Sequence, residues 1–140
     1  MAQKAKTVAD VIAGALKVFG PNGENWNNHS IHSVTFEGRD TYCALGAINK
    51  AASGRANYCS SGVAREAADL VASCVPTEYM RYSQTSAYIP GWNDNLSSVN
   101  GFRSIKSVFC KALKKAIAQE QPASKRKAVV KKRSKKRVVA

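Results

Sequence analysis

Acidic residues and long apolar runs are both scarce in this chain of 140 residues. Only 9 Asp and Glu stand against 22 Lys and Arg, which gives a formal net charge of +13. No apolar stretch approaches the roughly 18 residues that indicate a membrane-spanning helix. The basic N-terminus is not followed by the continuous apolar segment of a secretory signal, so we expect a cytoplasmic protein. Hydrophobic residues still make up 44% of the chain, which is enough for one small folded domain.

Cysteine pairs of the C-x-x-C type are also absent, which argues against zinc ribbons and thioredoxin-like redox sites. His29 and His32 have an H-x-x-H spacing, but no cysteine pair lies near them in the sequence to complete a tetrahedral zinc site. The cysteines are widely spaced, and in a cytosolic chain of this size we expect them to be buried thiols. They are Cys43, Cys59, Cys74 and Cys110. We expect neither a metal ion nor another cofactor.

The positive charge is concentrated at the C-terminus. Residues 125–140 contain nine Lys or Arg and no acid, whereas the remaining 124 residues have a net charge of only +4. Because blocks of like charge repel one another and have little apolar surface to bury, residues 122–140 are predicted to be a disordered tail. The basic residues of this tail are Lys125, Arg126, Lys127, Lys131, Lys132, Arg133, Lys135, Lys136 and Arg137.

The pattern of residues 1–121 predicts a small all-α domain of four helices. The first helix follows a capping box formed by Thr7 and Asp10 and ends at Gly20. Apolar residues at helical spacing predict three further helices. These cover about residues 42–52, 60–75 and 98–119. A minor β-hairpin is predicted near residues 33–40, and residues 76–97 are predicted to form a long loop.

Two short motifs resemble those of a known family. The second predicted helix contains a Cys-Ala-x-Gly-Ala motif that starts at Cys43, and the long loop closes with the Trp-Asn-Asp motif of residues 92–94. Together with the last amphipathic helix, they resemble a family of small uncharacterised bacterial and bacteriophage proteins, over roughly residues 8–118. The resemblance implies a bacterial or phage origin and no assigned activity. The basic tail lies outside the shared pattern.

Cys43 is the strongest candidate for catalysis, because it falls in the first turn of a predicted helix, where the helix dipole lowers a thiol pKa. With His29 or His32 as the base and Asp94 or Asn93 as the orienting group, it would form a cysteine hydrolase or transferase site. The small residues around Cys43 favour a buried structural thiol instead. On that interpretation no catalytic residue is present, and a hydroxyl at position 43 would be buried without a partner.

The Trp-Asn-Asp motif also has a structural interpretation. The indole can anchor the loop in the core, and the Asn93 or Asp94 side chain is expected to bond backbone N–H groups around the start of the last predicted helix. A polar rim to a pocket near Cys43 is the alternative.

The basic tail is the strongest functional signal. Each phosphate that Lys or Arg neutralises releases counterions, so a dense polycation binds nucleic acid without reading its sequence. The last predicted helix adds cations at Lys111, Lys114 and Lys115. We therefore predict a non-enzymatic accessory protein that binds DNA or RNA through phosphate contacts. The alternatives are the Cys43 enzyme and a virion or host-takeover module that binds another protein.

Overall fold

The computed structural model describes residues 6–57, 62–79 and 86–120. Within these ranges the fold is mostly helical with one two-stranded hairpin, which confirms the predicted class and the predicted hairpin. The elements are α1 Val8–Phe19, β1 Ser33–Val34, β2 Asp40–Thr41, α2 Ala44–Ser53, α3 Val63–Ser73, α4 Ile89–Asp94 and α5 Phe102–Glu120. These are five helices where the sequence predicted four. The predicted tail of residues 122–140 lies outside the described residues.

Helix α1 begins as the sequence predicts. The hydroxyl of Thr7 accepts the backbone N–H of Asp10 at 3.0 Å, and the Asp10 carboxylate accepts the N–H of Thr7 at 3.0 Å. This reciprocal pair satisfies two N–H groups that the helix itself leaves without acceptors. Glu120, the last residue of α5, accepts the N–H of Ala9 at 3.1 Å. The end of α5 is therefore held at the beginning of α1.

The core lies between α1, α2, α3 and α5. The ring of Phe19 packs edge to face against those of Phe102 and Phe109, with centroids 5.5 and 5.4 Å apart. Helices α2 and α3 contribute mainly small side chains, which let the helix backbones approach closely. The buried alanines of these two helices are Ala44, Ala47, Ala64, Ala67, Ala68 and Ala72.

The predicted loop of residues 76–97 contains regular structure in its described parts. Two 3₁₀ turns cover Thr77–Tyr79 and Ser86–Tyr88, and the second leads directly into α4. Helix α4 has six residues, too few for a repeating apolar pattern to be visible in the sequence. It is held by the buried side chains of Ile89, Trp92 and Asn93.

The hairpin ends in a rigid three-residue loop. The N–H of Thr35 donates to the carbonyl of Arg39 at 2.8 Å, and the N–H of Gly38 donates to the carbonyl of Thr35 at 2.9 Å. Gly38 has a φ of 88°, as the left-handed position of this common hairpin loop requires. Phe36 stands at the tip with its side chain fully exposed.

None of the helices in the described part of the chain combines the length and hydropathy needed to span a bilayer.

The glycine of the Cys-Ala-x-Gly-Ala motif is required by a close backbone contact. A Cβ on Gly46 would lie 1.9 Å from the carbonyl oxygen of Ile31, a backbone atom that cannot rotate away. We expect Gly46→Ala to lower the free energy of unfolding by about 2–3 kcal/mol, as overpacking does in other cores. Urea unfolding followed by circular dichroism measures this loss.

Gly91→Ala is the matched control for this prediction. A Cβ on Gly91 in α4 meets no atom within 4 Å, so its replacement should be neutral or stabilising by up to about 1 kcal/mol. Equal urea midpoints for the two variants would contradict the assigned role of Gly46.

Candidate functional site

The two sequence motifs meet at the side chain of Asn93, which is fully buried. Its Oδ1 accepts the indole N–H of Trp26 at 2.8 Å and the backbone N–H of Ala44 at 2.9 Å. Its Nδ2 donates to the carbonyl of Asn27 at 3.1 Å and lies 3.3 Å from a carboxylate oxygen of Asp94. The amide is thus satisfied at both ends, as buried polar groups in stable folds are.

The Trp-Asn-Asp motif therefore forms a hydrogen bond with the start of α2. The expectation that it bonds the start of the last helix is wrong. Ala44 is the first residue of α2, and its N–H has no acceptor within the helix. Asn93 supplies that acceptor from a residue 49 positions away. Trp92, 2% exposed, packs in the core and anchors α4, as the structural interpretation of the motif expects.

Cys43 lies one position before α2 and caps it. The thiol sulfur accepts the N–H of Gly46 at 3.5 Å, and the residue is 5% exposed. Burial raises the pKa of the Cys43 thiol; the N–H groups of Gly46 and Leu45 oppose this rise, and the carboxylate of Asp94 adds to it. A thiol with a raised pKa stays protonated at neutral pH and is a weak nucleophile. This geometry favours a structural role for Cys43.

Neither histidine is hydrogen-bonded to Cys43 among the described residues. The Nε2 atom of His32 lies 2.9 Å from the Oδ1 atom of Asp40, and its ring stacks on Tyr42 with centroids 5.2 Å apart. His29 lines a separate cleft beside the hairpin. The structure thus brings Asp94 near Cys43 without assembling the hydrogen-bonded cysteine, histidine and acid that a hydrolase needs.

The described residues also contain no group of three His, Cys, Asp or Glu placed to hold a metal ion.

The positive charge of the described residues is concentrated on α5. The described residues contain eleven Lys or Arg and nine acids, and α5 carries five of the former but only one of the latter. That acid, Glu120, accepts the N–H of Ala9. The α5 basic face consists of the exposed side chains of Arg103, Lys106, Lys111, Lys114 and Lys115. None of the five pairs with a carboxylate in the part of the chain that the structure describes. At a rise of 1.5 Å per residue, the face is about 18 Å long.

A polar cleft of about 380 Å³ lies beside the hairpin, and we call it the hairpin cleft. Its walls come from the hairpin, from the segment that follows α1, and from the turn that precedes α5. Its lining includes Glu24, Trp26, Asn28, His29, Val34, Arg39 and Ser98. Sequence reasoning found His29 but not the cleft, because its walls come from segments about 70 residues apart.

Comparison with known proteins identifies a family but no activity. The model of a family of unknown function, DUF6197, matches residues 3–99. No curated protein and no solved structure matches the chain. The matched residues include both motifs and end before α5, which the resemblance drawn from the sequence had included.

Removal of the Asn93 amide should be the most damaging polar substitution in the fold. Asn93→Ala leaves the Trp26 indole N–H and the Ala44 N–H buried without an acceptor. At about 1–3 kcal/mol for each unsatisfied group, the free energy of unfolding should fall by about 2–6 kcal/mol. Thermal and urea unfolding measure this loss.

Asn95→Ala is the matched control for Asn93→Ala. The Asn95 amide is exposed and donates to the carbonyl of Gly91 at 2.8 Å, so its loss should cost less than about 1 kcal/mol. A small effect of Asn93→Ala, comparable with that of Asn95→Ala, would contradict the central role of Asn93.

The cap geometry corrects the expectation for a hydroxyl at position 43. A serine there finds the N–H of Gly46 as its partner, and serine is among the preferred residues at a helix N-cap. We expect Cys43→Ser to be more stable than Cys43→Ala by about 1 kcal/mol, since alanine cannot cap. Urea unfolding of both variants measures the order.

The pH dependence of stability and the reactivity of the thiol both test the structural role of Cys43. Because the pKa of Cys43 is raised in the native state, the stability contributed by its neutral thiol is complete below the unfolded thiol pKa of about 8.5 and declines as pH rises above it. Rapid alkylation of Cys43 in the native protein at neutral pH would contradict the structural role and favour the enzyme.

Proposed function

The chain belongs to the DUF6197 family, whose match ends at residue 99, and we propose that it binds nucleic acid through the basic residues beyond that point. The charge distribution carries the proposal. Residues 3–99 contain eight Lys or Arg and eight acids, whereas residues 100–140 contain fourteen Lys or Arg and one acid. The entire net charge of +13 therefore lies outside the region matched to the family.

The α5 basic face supports this proposal with surface geometry. Five exposed cations without carboxylate partners extend along a rigid helix, and nine more follow in residues 125–137. Phosphates along a nucleic acid strand are regularly spaced, so a row of cations engages several of them at once without contacting base edges. Binding of this kind draws its free energy from the release of condensed counterions.

The proposed role is that of a non-enzymatic accessory protein in the cytoplasm of a bacterium or of a phage-infected cell. The helical body, with α5 included, would supply the folded scaffold, and the exposed cations of α5 and of the residues beyond it would hold the nucleic acid. Phosphate recognition of this kind does not distinguish one base sequence from another. The proposal therefore covers both DNA and RNA.

Salt dependence is the decisive test of the proposal. If five to seven cations meet duplex phosphates, a plot of log K against log salt concentration should have a slope of about −4 to −6. A variant that lacks residues 122–140 keeps Glu120 and its bond to Ala9, so it should fold normally while its slope falls to about −2. Fluorescence anisotropy with a labelled duplex at several salt concentrations measures both slopes.

Two control variants separate charge from sequence in this experiment. Scrambling residues 122–140 at constant composition should leave the affinity unchanged, because phosphates are read by charge. Replacing Lys111, Lys114 and Lys115 by glutamine should weaken binding further in the truncated protein. Full affinity in the truncated protein, or strong preference for one base sequence, would contradict the proposal.

A further inference from the structure

Phe36 is exposed without packing, at a position that the hairpin holds rigidly. The backbone hydrogen bonds of Thr35 and Gly38 fix the loop, so they also fix the position from which the Phe36 side chain projects. Two further apolar residues are exposed, Val34 and Val99. Val34 lines the hairpin cleft, and Val99 follows Ser98, which also lines the cleft. Val34 thus lines the cleft, and Phe36 follows Thr35, another lining residue, along the chain; the fold buries neither apolar side chain.

Several polar groups of the hairpin cleft are available to form hydrogen bonds with a ligand. The Oδ1 of Asn28, the ring nitrogens of His29 and the guanidinium of Arg39 have no hydrogen-bond partner among the described residues. Glu24 is the only acid among the lining side chains, and its carboxylate accepts the N–H of Asn22 at 3.0 Å. With one arginine and one glutamate, the cleft is close to neutral, which suits an uncharged polar heterocycle better than a phosphate group.

The position of the hairpin cleft connects it with the α5 basic face. Ser98 lines the cleft four residues before α5 begins, and the ring of Trp26, also in the lining, lies 6.3 Å from that of Phe102. A strand whose phosphates lie along the start of α5 near Arg103 can therefore place a neighbouring base in the cleft. Only an unstacked base has its ring face free for an aromatic side chain.

We propose that the hairpin cleft binds an unstacked base of single-stranded nucleic acid, with Phe36 as the stacking surface. Asn28 and His29 bond the edge of the base, and Arg39 bonds either the base or its adjoining phosphate. The inference rests on the proposed nucleic-acid binding and adds a preference for single strands. The basic residues beyond residue 99 supply affinity for both single strands and duplexes.

The test compares a labelled single-stranded oligothymidine with a labelled duplex of equal length at one salt concentration, using the full chain. We expect Phe36→Ala to weaken single-strand binding by about 5- to 150-fold, the range of one base–aromatic stack, and to change duplex binding less than about twofold. Phe36→Trp should retain the single-strand affinity. Because Phe36 is fully exposed, none of these variants should change the melting temperature.

Phe36→Leu separates stacking from general apolar contact. Leucine is apolar but has no ring, so this variant should lose single-strand affinity as Phe36→Ala does. Full single-strand affinity in Phe36→Leu would overturn the stacking proposal, as would equal effects of Phe36→Ala on both ligands. Binding of neither ligand by the unmodified chain would overturn the proposed function as well, whereas duplex binding without sensitivity to Phe36 would overturn this inference alone.

Discussion

The fold depends on one buried amide. Asn93 joins the indole of Trp26, the first N–H of α2 and the carbonyl of Asn27, so it connects three segments that are far apart in sequence. In the low-dielectric interior each of these bonds is strong, and each partner would be costly to bury alone. The position of the hairpin follows from this arrangement, because Asn27 also donates to the hydroxyl of Thr41 in β2 at 3.0 Å. The amide therefore sets the walls of the hairpin cleft as well as the start of α2.

Three residues of the Cys-Ala-x-Gly-Ala motif make structural contacts at or near that amide. Cys43 caps α2, Ala44 donates to Asn93, and Gly46 leaves room for the carbonyl of Ile31. Cys43 acts through its sulfur, Ala44 through its backbone N–H, and Gly46 through its lack of a side chain. The motif and the Trp-Asn-Asp segment are joined by the hydrogen bond between Ala44 and Asn93.

Sequence reasoning predicted the elements that local interactions determine. The capping box at Thr7 is confirmed. It was predictable because both of its bonds join residues three positions apart. The six residues of α4 were missed because its stability comes from burial of Trp92 and Asn93, and no periodic pattern fits within six residues. The hydrogen bond from the first N–H of α2 to Asn93 could not be predicted either, because a bond across 49 positions leaves no local pattern in the sequence. The hairpin cleft escaped prediction for the same reason.

The division of charge separates the basic region of the proposed nucleic-acid binding from an electrically balanced family-matched region. Fourteen cations distributed over the core-forming elements would repel one another within a compact domain, which costs stability. Confined to the outer side of α5 and the residues beyond it, they leave residues 3–99 electrically balanced. Stability and the proposed phosphate binding are then separable, because Asn93 and its partners hold the scaffold without using any Lys or Arg. Loss of the basic residues should therefore change what the protein binds while the fold remains.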